Sequence, residues 1–427
     1  MTAHEELTPL MPLAVAQARV LDGAIPLATE IIPLEEAIGR VLAAAATAAI
    51  TIPPWDNSAM DGFAVRSADV AGASPDAPVI LRVTGEVPAG RQPEIGVEPG
   101  TALRITTGAM MPSGADAVVQ VEDTDAPAGA AALPERVAVR MAARSGENVR
   151  RSGSDVRVGS HLLASGRAIG PAAVALLAAT GNAAVEVYRR PRVAVLSTGD
   201  EIVPPGRPLG PAQIYDSNSL GIEAQARAVG ADVRRFGIAR DEAADLLRLV
   251  RDAVAWADVV VLSGGVSVGA HDHVKSAMAA VGTLSLWRVA IKPGRPFAYA
   301  RGRHEGRDVA LFGLPGNPVS VFVTFELFVR PLLRVLAGHP EPFNRPARVA
   351  RLAEAARGSS GRMQVMRVIL EPDPDRPDGL LARSSGGQDS YMLASLAAAN
   401  GLAFIPDGAT FPAGAEVLAW EVSDERP

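Results

Sequence analysis

Two hydroxyls, a glycine and two acids stand together in Ser197–Thr198–Gly199–Asp200–Glu201, directly after the apolar run Val193–Ala194–Val195–Leu196. Adjacent carboxylates at the end of a buried strand can hold Mg²⁺ through their oxygens, and Glu201 is the better candidate; the competing role is a strand-to-helix turn with a cap. A second run, Val259–Val260–Val261–Leu262, leads into Ser263–Gly264–Gly265–Val266–Ser267–Val268–Gly269. Its glycines allow close backbone approach, and successive N–H groups there can form a nest for phosphate or another oxyanion. A third run, Val309–Ala310–Leu311–Phe312, leads through Gly313 into Leu314–Pro315–Gly316–Asn317–Pro318, where a helix begins and its first N–H groups suit an anion. Between the last two runs lies Ile291–Lys292–Pro293–Gly294–Arg295–Pro296–Phe297. Two cations on a proline-stiffened loop fit a doubly charged oxyanion. Asp241 and Asp272 each open a predicted helix, where capping is the common role of Asp. Both also follow strand ends on the same edge and could face the same ligand. His271 and His273 flank Asp272, but no third ligand for zinc is evident.

Basic-residue usage sharpens one of these positions. Of 41 Lys and Arg residues, only Lys275 and Lys292 are lysine. Where arginine serves nearly everywhere else, a lysine retained in a loop marks a place that needs a compact ammonium. Lys275 falls in a helical pattern and reads as a surface residue. Upstream, Pro54–Trp55–Asp56–Asn57–Ser58–Ala59–Met60–Asp61–Gly62–Phe63–Ala64 is dense in polar and small residues. It reads equally as an Asx-capped turn or as part of a site.

The elements that must position these residues follow from pattern. Short Val/Leu/Ala runs between Gly and Pro read as fully buried parallel strands, and helices are predicted over 217–229, 241–256, 272–281 and 318–336. Strand–helix alternation over 190–338 implies right-handed crossovers and a three-layer α/β fold, with all three turns on one carboxyl edge. Residues 12–46 read as two helices, the second opened by Pro33 at its first position. Residues 47–145 alternate in strand fashion and are broken by Pro and Gly. A further helix is predicted from Pro171 to Ala179. Pro340, Pro342 and Pro346 mark a linker, and 347–427 reads as a small β domain or barrel. The expected organisation is therefore multidomain α/β plus β. A helical/linker unit comprises 1–46 with 146–181, a β-rich unit 47–145, the α/β unit 182–338 and a C-terminal β unit 339–427.

Composition narrows the function classes. The 427 residues are 48% hydrophobic but only 4% aromatic, so the cores must be built from Ala, Val and Leu. The absence of cysteine excludes disulfides, thiolate metal sites and Cys nucleophiles. No apolar window is long enough for a membrane span, and the acidic start Met1–Thr2–Ala3–His4–Glu5–Glu6 is no signal peptide; a cytoplasmic location is expected. A net charge of -6 argues against a general nucleic-acid binder. The dinucleotide-fold, P-loop and zinc-protease motifs are absent.

Taken in order, Asp56–Gly62, Arg104–Ile105–Thr106–Thr107–Gly108–Ala109, Ser197–Glu201, Ser263–Ser267, Lys292–Pro296 and Leu314–Pro318 resemble the molybdopterin molybdenumtransferases, bacterial counterparts of the gephyrin E domain. The resemblance runs from about residue 8 to 422. It implies that the α/β unit is a molybdopterin-binding domain. It also implies the last step of molybdenum cofactor synthesis: insertion of molybdate into adenylylated molybdopterin, with release of AMP. It further implies Mg²⁺ dependence and an elongated homodimer whose cleft lies between the α/β domain of one chain and the second domain of the other. Transient contact with the molybdopterin adenylyltransferase and with molybdoenzyme maturation proteins would follow.

Residue by residue, the resemblance makes Asp61, Glu201, Asp241, Asp272 and Lys292 catalytic, with Glu201, Asp241 and Asp272 on the metal. Asn57, Ser58, Thr107, Arg150, Arg151, Ser197, Gly199, Ser263, Gly264, Gly265, Arg295, Pro315, Gly316, Asn317, Arg362 and Ser390 would bind substrate. Many family members carry lysine where Arg295 stands and tyrosine where Phe63 stands. A scaffold built on the same fold, or a protein like the molybdopterin adenylyltransferase, is the alternative. The retained acids and loop lysine favour the enzyme over a scaffold. The adenylyltransferase-like proteins share the Ser-Gly-Gly turn but lack the Asp56–Gly62 segment and the flanking domains.

Overall fold

The computed structural model describes residues 10–127, 129, 132–265 and 273–422. Its centre is a six-stranded sheet. Strands Asp232–Ala239, Arg192–Thr198, Val259–Ser263 and Arg307–Leu314 lie parallel in that spatial order. Pro296–His304 and Gly282–Arg288 extend the sheet antiparallel. The simple alternation expected from sequence is corrected here, because a hairpin intervenes before the last parallel strand. Pro293 and Gly294 break the run 282–304 between its two strands, and the hairpin leaves the four parallel strands flanked on one side only by antiparallel neighbours.

Side-chain alternation divides this sheet between two cores. Val193, Val195, Val259, Val261, Phe312 and Leu314 face helices Leu13–Leu21, Ser217–Ala228 and the segment 318–336. Ala194, Leu196, Val260, Leu262 and Leu311 face helices Ala243–Trp256 and His273–Val281. A strand's period of two sends neighbouring residues to opposite layers, so continuous apolar runs are required. The expected three-layer domain is present.

The long helix expected over 318–336 is interrupted. An α-helix Pro318–Thr324 passes into a π turn, Phe325–Val329, and then Arg330–Leu336. Pro331 has no N–H for the carbonyl of Leu327, four residues back. Gln17 supplies one instead, its Nε2 donating to Leu327 O at 2.8 Å. Helix Leu13–Leu21 thereby docks on the α/β core, with Ala16 and Val20 fully buried in it.

The second helix expected near the amino end is also corrected. Thr29–Pro33 is a strand paired with Ala184–Tyr188, and only Leu34–Glu36 makes a short 3₁₀ turn. Gly39 has φ +74°, which a continuing helix cannot accommodate. Ile32, Leu34, Leu42, Leu177 and Val187 make a small separate core with helix Pro171–Ala179. The β-rich unit is a five-stranded sheet over its own apolar cluster around Phe63, Leu81 and Val119. At the carboxyl end, strands Ala347–Leu352, Met363–Pro372, Leu380–Ser384, Gly401–Ile405 and Glu416–Glu421 close into a five-stranded barrel. Val365, Leu402 and Trp420 of the barrel are buried in the α/β core, so the two units share one apolar interior.

Candidate active site

The carboxyl ends of the parallel strands open into a cleft of about 1610 Å³. Its floor is the turn after Arg192–Thr198. Gly199 has φ +138°, and a Cβ there would stand 2.4 Å from Glu201 Oε2. Only glycine lets the Glu201 carboxylate fold back over this turn. The short strand Ile202–Val203 pairs in parallel with Ile214–Tyr215, which brings Asp216 beneath the strand end. Asp216 is buried and caps helix Ser217–Ala228. It accepts from Ser197 Oγ at 2.9 Å, Ser219 N at 3.0 Å and Ser219 Oγ at 2.6 Å. Its oxygens are thus committed to holding Ser197 and the helix. Asn218 Nδ2 donates to Gly316 O at 2.7 Å and ties this helix to the third turn.

Asp241 also lines the cleft. It does not cap the helix as expected, for the helix begins at Ala243 with Glu242 before it. Its backbone N–H instead donates to Asp200 Oδ1 at 3.3 Å, joining two strand-end turns. Ser263, Gly264 and Gly265 form the next part of the wall. Gly264 has φ +94°, and a Cβ on it would meet Thr198 O at 3.0 Å, so the two turns pack backbone to backbone. Ser267, His271 and Asp272 lie outside the described residues; His273 lines the cleft.

Pro315, Gly316 and Asn317 make the third turn. The helix after it does not offer all its free N–H groups to a ligand as the sequence suggested. Val319 N donates to the carbonyl of Ser390 at 3.1 Å, and Asn317 Nδ2 donates to Ser390 Oγ at 2.8 Å. Ser390 comes from the barrel, whose loop also brings Gln388, Asp389 and Tyr391 to the cleft.

The cationic wall is built by pairing across the two units. Ile291–Lys292 lies parallel to Met363–Gln364 of the barrel, placing Lys292, Arg295 and Arg362 around one cleft. None of the three forms an ion pair among the described residues. Partial desolvation, then the nearby Arg288 and Arg362, pull the Arg295 guanidinium below its ordinary value. The group stays charged, and the crowding of like charges is relieved when an anion binds.

The remaining residues expected at the site lie on the β-rich unit and, for Arg150 and Arg151, on the short strand Val149–Arg150 and its end just beyond that unit. Asp61 lines a separate cavity of about 380 Å³ with Glu86, Arg104 and Thr106, and its Oδ1 accepts from Thr107 N at 2.7 Å. Asn57 and Ser58 pair with Val149–Arg150 and are buried. Ser58 Oγ donates within the turn, to Met60 O at 2.5 Å. Arg151 donates to Asp56 Oδ2 at 2.6 Å, and Ser152 N to Asp56 Oδ1 at 2.8 Å. The Ser152 amide first, and then Arg151, hold the Asp56 carboxyl below the usual carboxylate range. Arg150 is exposed on the same strand.

Sequence reasoning missed Asp216, Asn218, Gln388, Asp389 and the two tyrosines Tyr215 and Tyr391, all of which line the cleft. Asp216–Ser217–Asn218 carried a helix-cap signal, but nothing in it showed which edge the helix faced. For Mg²⁺, Glu201 and Asp241 offer carboxylate oxygens of the right kind within one cleft. Among the described residues, no three such side chains gather closely enough to form a complete metal site.

Three family models match the chain in succession. They are the MoeA N-terminal region, domains I and II, over 11–181; the probable molybdopterin binding domain over 194–335; and the MoeA C-terminal region, domain IV, over 349–422. Molybdopterin molybdenumtransferase 2 of Mycobacterium tuberculosis is 41% identical over 399 residues, covering 92% of this chain and 95% of that protein. The molybdopterin molybdenumtransferase of a Nostoc species is 39% identical over 398 residues, covering 92% and 89%. The crystal structure of a molybdopterin biosynthesis MoeA protein from Pyrococcus horikoshii superimposes with a TM-score of 0.78 at 35% identity, over 97% of this chain and all of that one.

Proposed function

The chain belongs to the MoeA family of molybdopterin molybdenumtransferases, and on that premise we propose how its cleft works. The protein is a transferase of molybdenum cofactor biosynthesis: it inserts molybdate into adenylylated molybdopterin, and AMP leaves. One observation carries this reading. A cleft bearing Lys292, Arg295 and Arg362, none of them ion-paired among the described residues, also bears the acids Glu201 and Asp241. The cations suit a tetrahedral dianion, and the acids suit the metal that accompanies a phosphate.

In this reading Lys292, Arg295 and Arg362 hold molybdate. Ser263, Gly264 and Gly265 receive an oxyanion through backbone and hydroxyl donors, and Ser197 and Asn317 orient the substrate. Glu201 and Asp241, with Asp272, would hold Mg²⁺, which supplies charge neutralisation at the phosphate oxygens. The test is AMP release from adenylylated molybdopterin with and without molybdate. Release that is independent of molybdate would refute the reading.

The protein works as a homodimer in the cytoplasm, and the partner completes the cleft. Support comes from the placement of Asp61, Thr107, Arg150 and Arg151, which line no part of the main cleft in their own chain. A second copy would bring those groups to it. Substrate would arrive from the molybdopterin adenylyltransferase and product would pass to molybdoenzyme maturation proteins, both through transient contacts.

A further inference from the structure

Arg367 is the largest fully buried side chain among the described residues, at 0% exposure. It lies in the barrel strand Met363–Pro372, and no carboxylate ion-pairs with it among those residues. Its hydrogen bonds go to one loop. Nη2 donates to the carbonyls of Gly387 and, at 3.2 Å, Asp389, and Nε donates to Ser395 Oγ at 3.2 Å. The backbone joins in. Arg367 N donates to Gln388 Oε1 at 2.9 Å, while Gln388 Nε2 donates back to Arg367 O at 3.0 Å. Nη1 is buried with no partner.

A buried cation without a counter-ion is a poor way to fill space, since an apolar side chain of similar volume is often at least as stable. The guanidinium therefore needs another explanation, and its partners supply one. Every acceptor it reaches belongs to or braces the loop that brings Gln388, Asp389, Ser390 and Tyr391 to the cleft. The far end of that loop is latched to the α/β domain through Asn317 and Val319 on Ser390. Arg367 sets the near end.

We propose that Arg367 is a positioning residue: a buried guanidinium that holds the 387–390 loop so that Ser390 stands opposite Lys292 and Arg295. It touches no substrate and acts through Ser390. This rests on the reading of the cleft as the molybdate site. The point is specific to guanidinium geometry, because two separate nitrogens of one planar fork reach these acceptors, Nη2 the Gly387 and Asp389 carbonyls and Nε Ser395, whereas an ammonium holds all its donors on a single nitrogen.

The test compares the full-length wild type with Arg367→Met and Arg367→Lys by two readouts. The first is the apparent KM for molybdate at saturating adenylylated pterin, set beside the KM for the pterin. The second is amide hydrogen exchange of the peptide spanning 385–392, set beside the barrel strands. Arg367→Met is expected to raise the molybdate KM roughly ten-fold, as loss of charged hydrogen bonds to the loop implies, with the pterin KM and the melting temperature near wild type. Exchange should accelerate in 385–392 alone, and Arg367→Lys should fall between the two. Wild-type loop exchange and molybdate KM in Arg367→Met would overturn the proposal. So would a general loss, with every barrel strand exchanging faster and both KM values rising together. If the wild type itself releases no AMP, the functional reading has failed, and the exchange data still decide whether Arg367 holds the loop.

Discussion

Replacing Lys292 by alanine isolates one charge in the cleft. Lys292 is exposed and forms no ion pair among the described residues, so its removal should barely affect folding. Its effect on a bound dianion is larger. A unit charge about 4 Å from another is worth about 4 kcal/mol at an effective dielectric of about 20. Water at the cleft mouth reduces this towards the roughly 1.5–3 kcal/mol of a charge-assisted hydrogen bond. The apparent affinity for molybdate should therefore fall about ten- to a hundred-fold. Arg295 and Arg362 remain, so the site should be weakened and not abolished. The assay is product formation against molybdate concentration at saturating adenylylated pterin. Raising ionic strength should weaken molybdate use in the wild type more than in Lys292→Ala, because one screened charge is already missing. Lys275→Ala is the control: it removes the same charge from helix His273–Val281, outside the cleft lining. An unchanged molybdate dependence in Lys292→Ala would refute the assignment, and an equal defect in Lys275→Ala would point to overall charge instead of the loop.

Glu201→Gln and Asp241→Asn should slow AMP release more than they weaken pterin binding, and Asp272→Asn should do the same; wild-type rates across a Mg²⁺ titration would remove the metal role. Gly199→Ala combines a backbone at φ +138° with a Cβ 2.4 Å from Glu201 Oε2, so it should displace that carboxylate and cost roughly 1–3 kcal/mol of stability, read by denaturant melts beside turnover. His339 is held at a pKa of about 4 by burial first and then by Arg334 and Arg330. The unfolded chain binds that proton near pH 6.5 and the folded one does not, so stability should be complete above about pH 6.5 and fall as pH drops towards 4, by at most about 3 kcal/mol. His339→Gln should flatten that part of the profile, and an identical profile in the variant would assign the loss elsewhere. Mixing Asp61→Asn with Lys292→Ala protein, assayed at molybdate too dilute for the weakened Lys292→Ala sites, should restore activity to about a quarter of the sites if the cleft is shared across a symmetric dimer; no recovery after subunit exchange would place both residues in sites confined to one chain.

Much of the α/β domain was legible because its strands are buried on both faces, which makes their apolar runs continuous and their Gly-bearing ends abrupt. The three turns were readable for that reason, the loop lysine because only two lysines occur among 41 basic residues, and the carboxyl-terminal β unit because its short strand patterns are separated by Pro, Gly and Asp. The amino-terminal helix over 34–42 was misread. Leu34, Ala37, Val41 and Leu42 recur at near-helical spacing, but tertiary pairing with Ala184–Tyr188 took the segment before them and Gly39 broke the pattern. At the interruption over Phe325–Val329, the carbonyl that Pro331 cannot serve is met by a glutamine more than 300 residues away, a pairing that no local pattern reveals. Asp216, and the Gln388, Asp389 and Tyr391 that accompany Ser390 in its loop, escaped the sequence for a related cause, Ser390 itself being named only through the family resemblance. Their sequence signals are those of a helix cap and a polar turn, and only packing decides that both point into the cleft. Arg367 could not be singled out either, since a chain with 41 basic residues, all but two of them arginine, gives no sign of which one is buried.

The geometry also explains why the barrel belongs to the site and is more than an appendage to it. The α/β domain by itself supplies the glycine turns and the acids, which is enough to receive a phosphate and a metal. It cannot by itself fix Lys292. The two-residue strand Ile291–Lys292 has its ladder partner in Met363–Gln364, and Met363 N also donates to Ala290 O at 2.8 Å. An isolated strand of that length has too few internal contacts to hold one conformation. Detaching the barrel would therefore remove Arg362 and Ser390 directly and release Lys292 and Arg295 from their registered positions. Shared burial of Val365, Leu402 and Trp420 in the α/β core works in the same direction, since it opposes sliding of the barrel along the cleft. Acids are thus carried by one unit and the cationic wall is aligned by its contact with another. Molybdate affinity should respond to any change that loosens this junction, even one far from the anion, whereas the acids of the floor should keep their geometry.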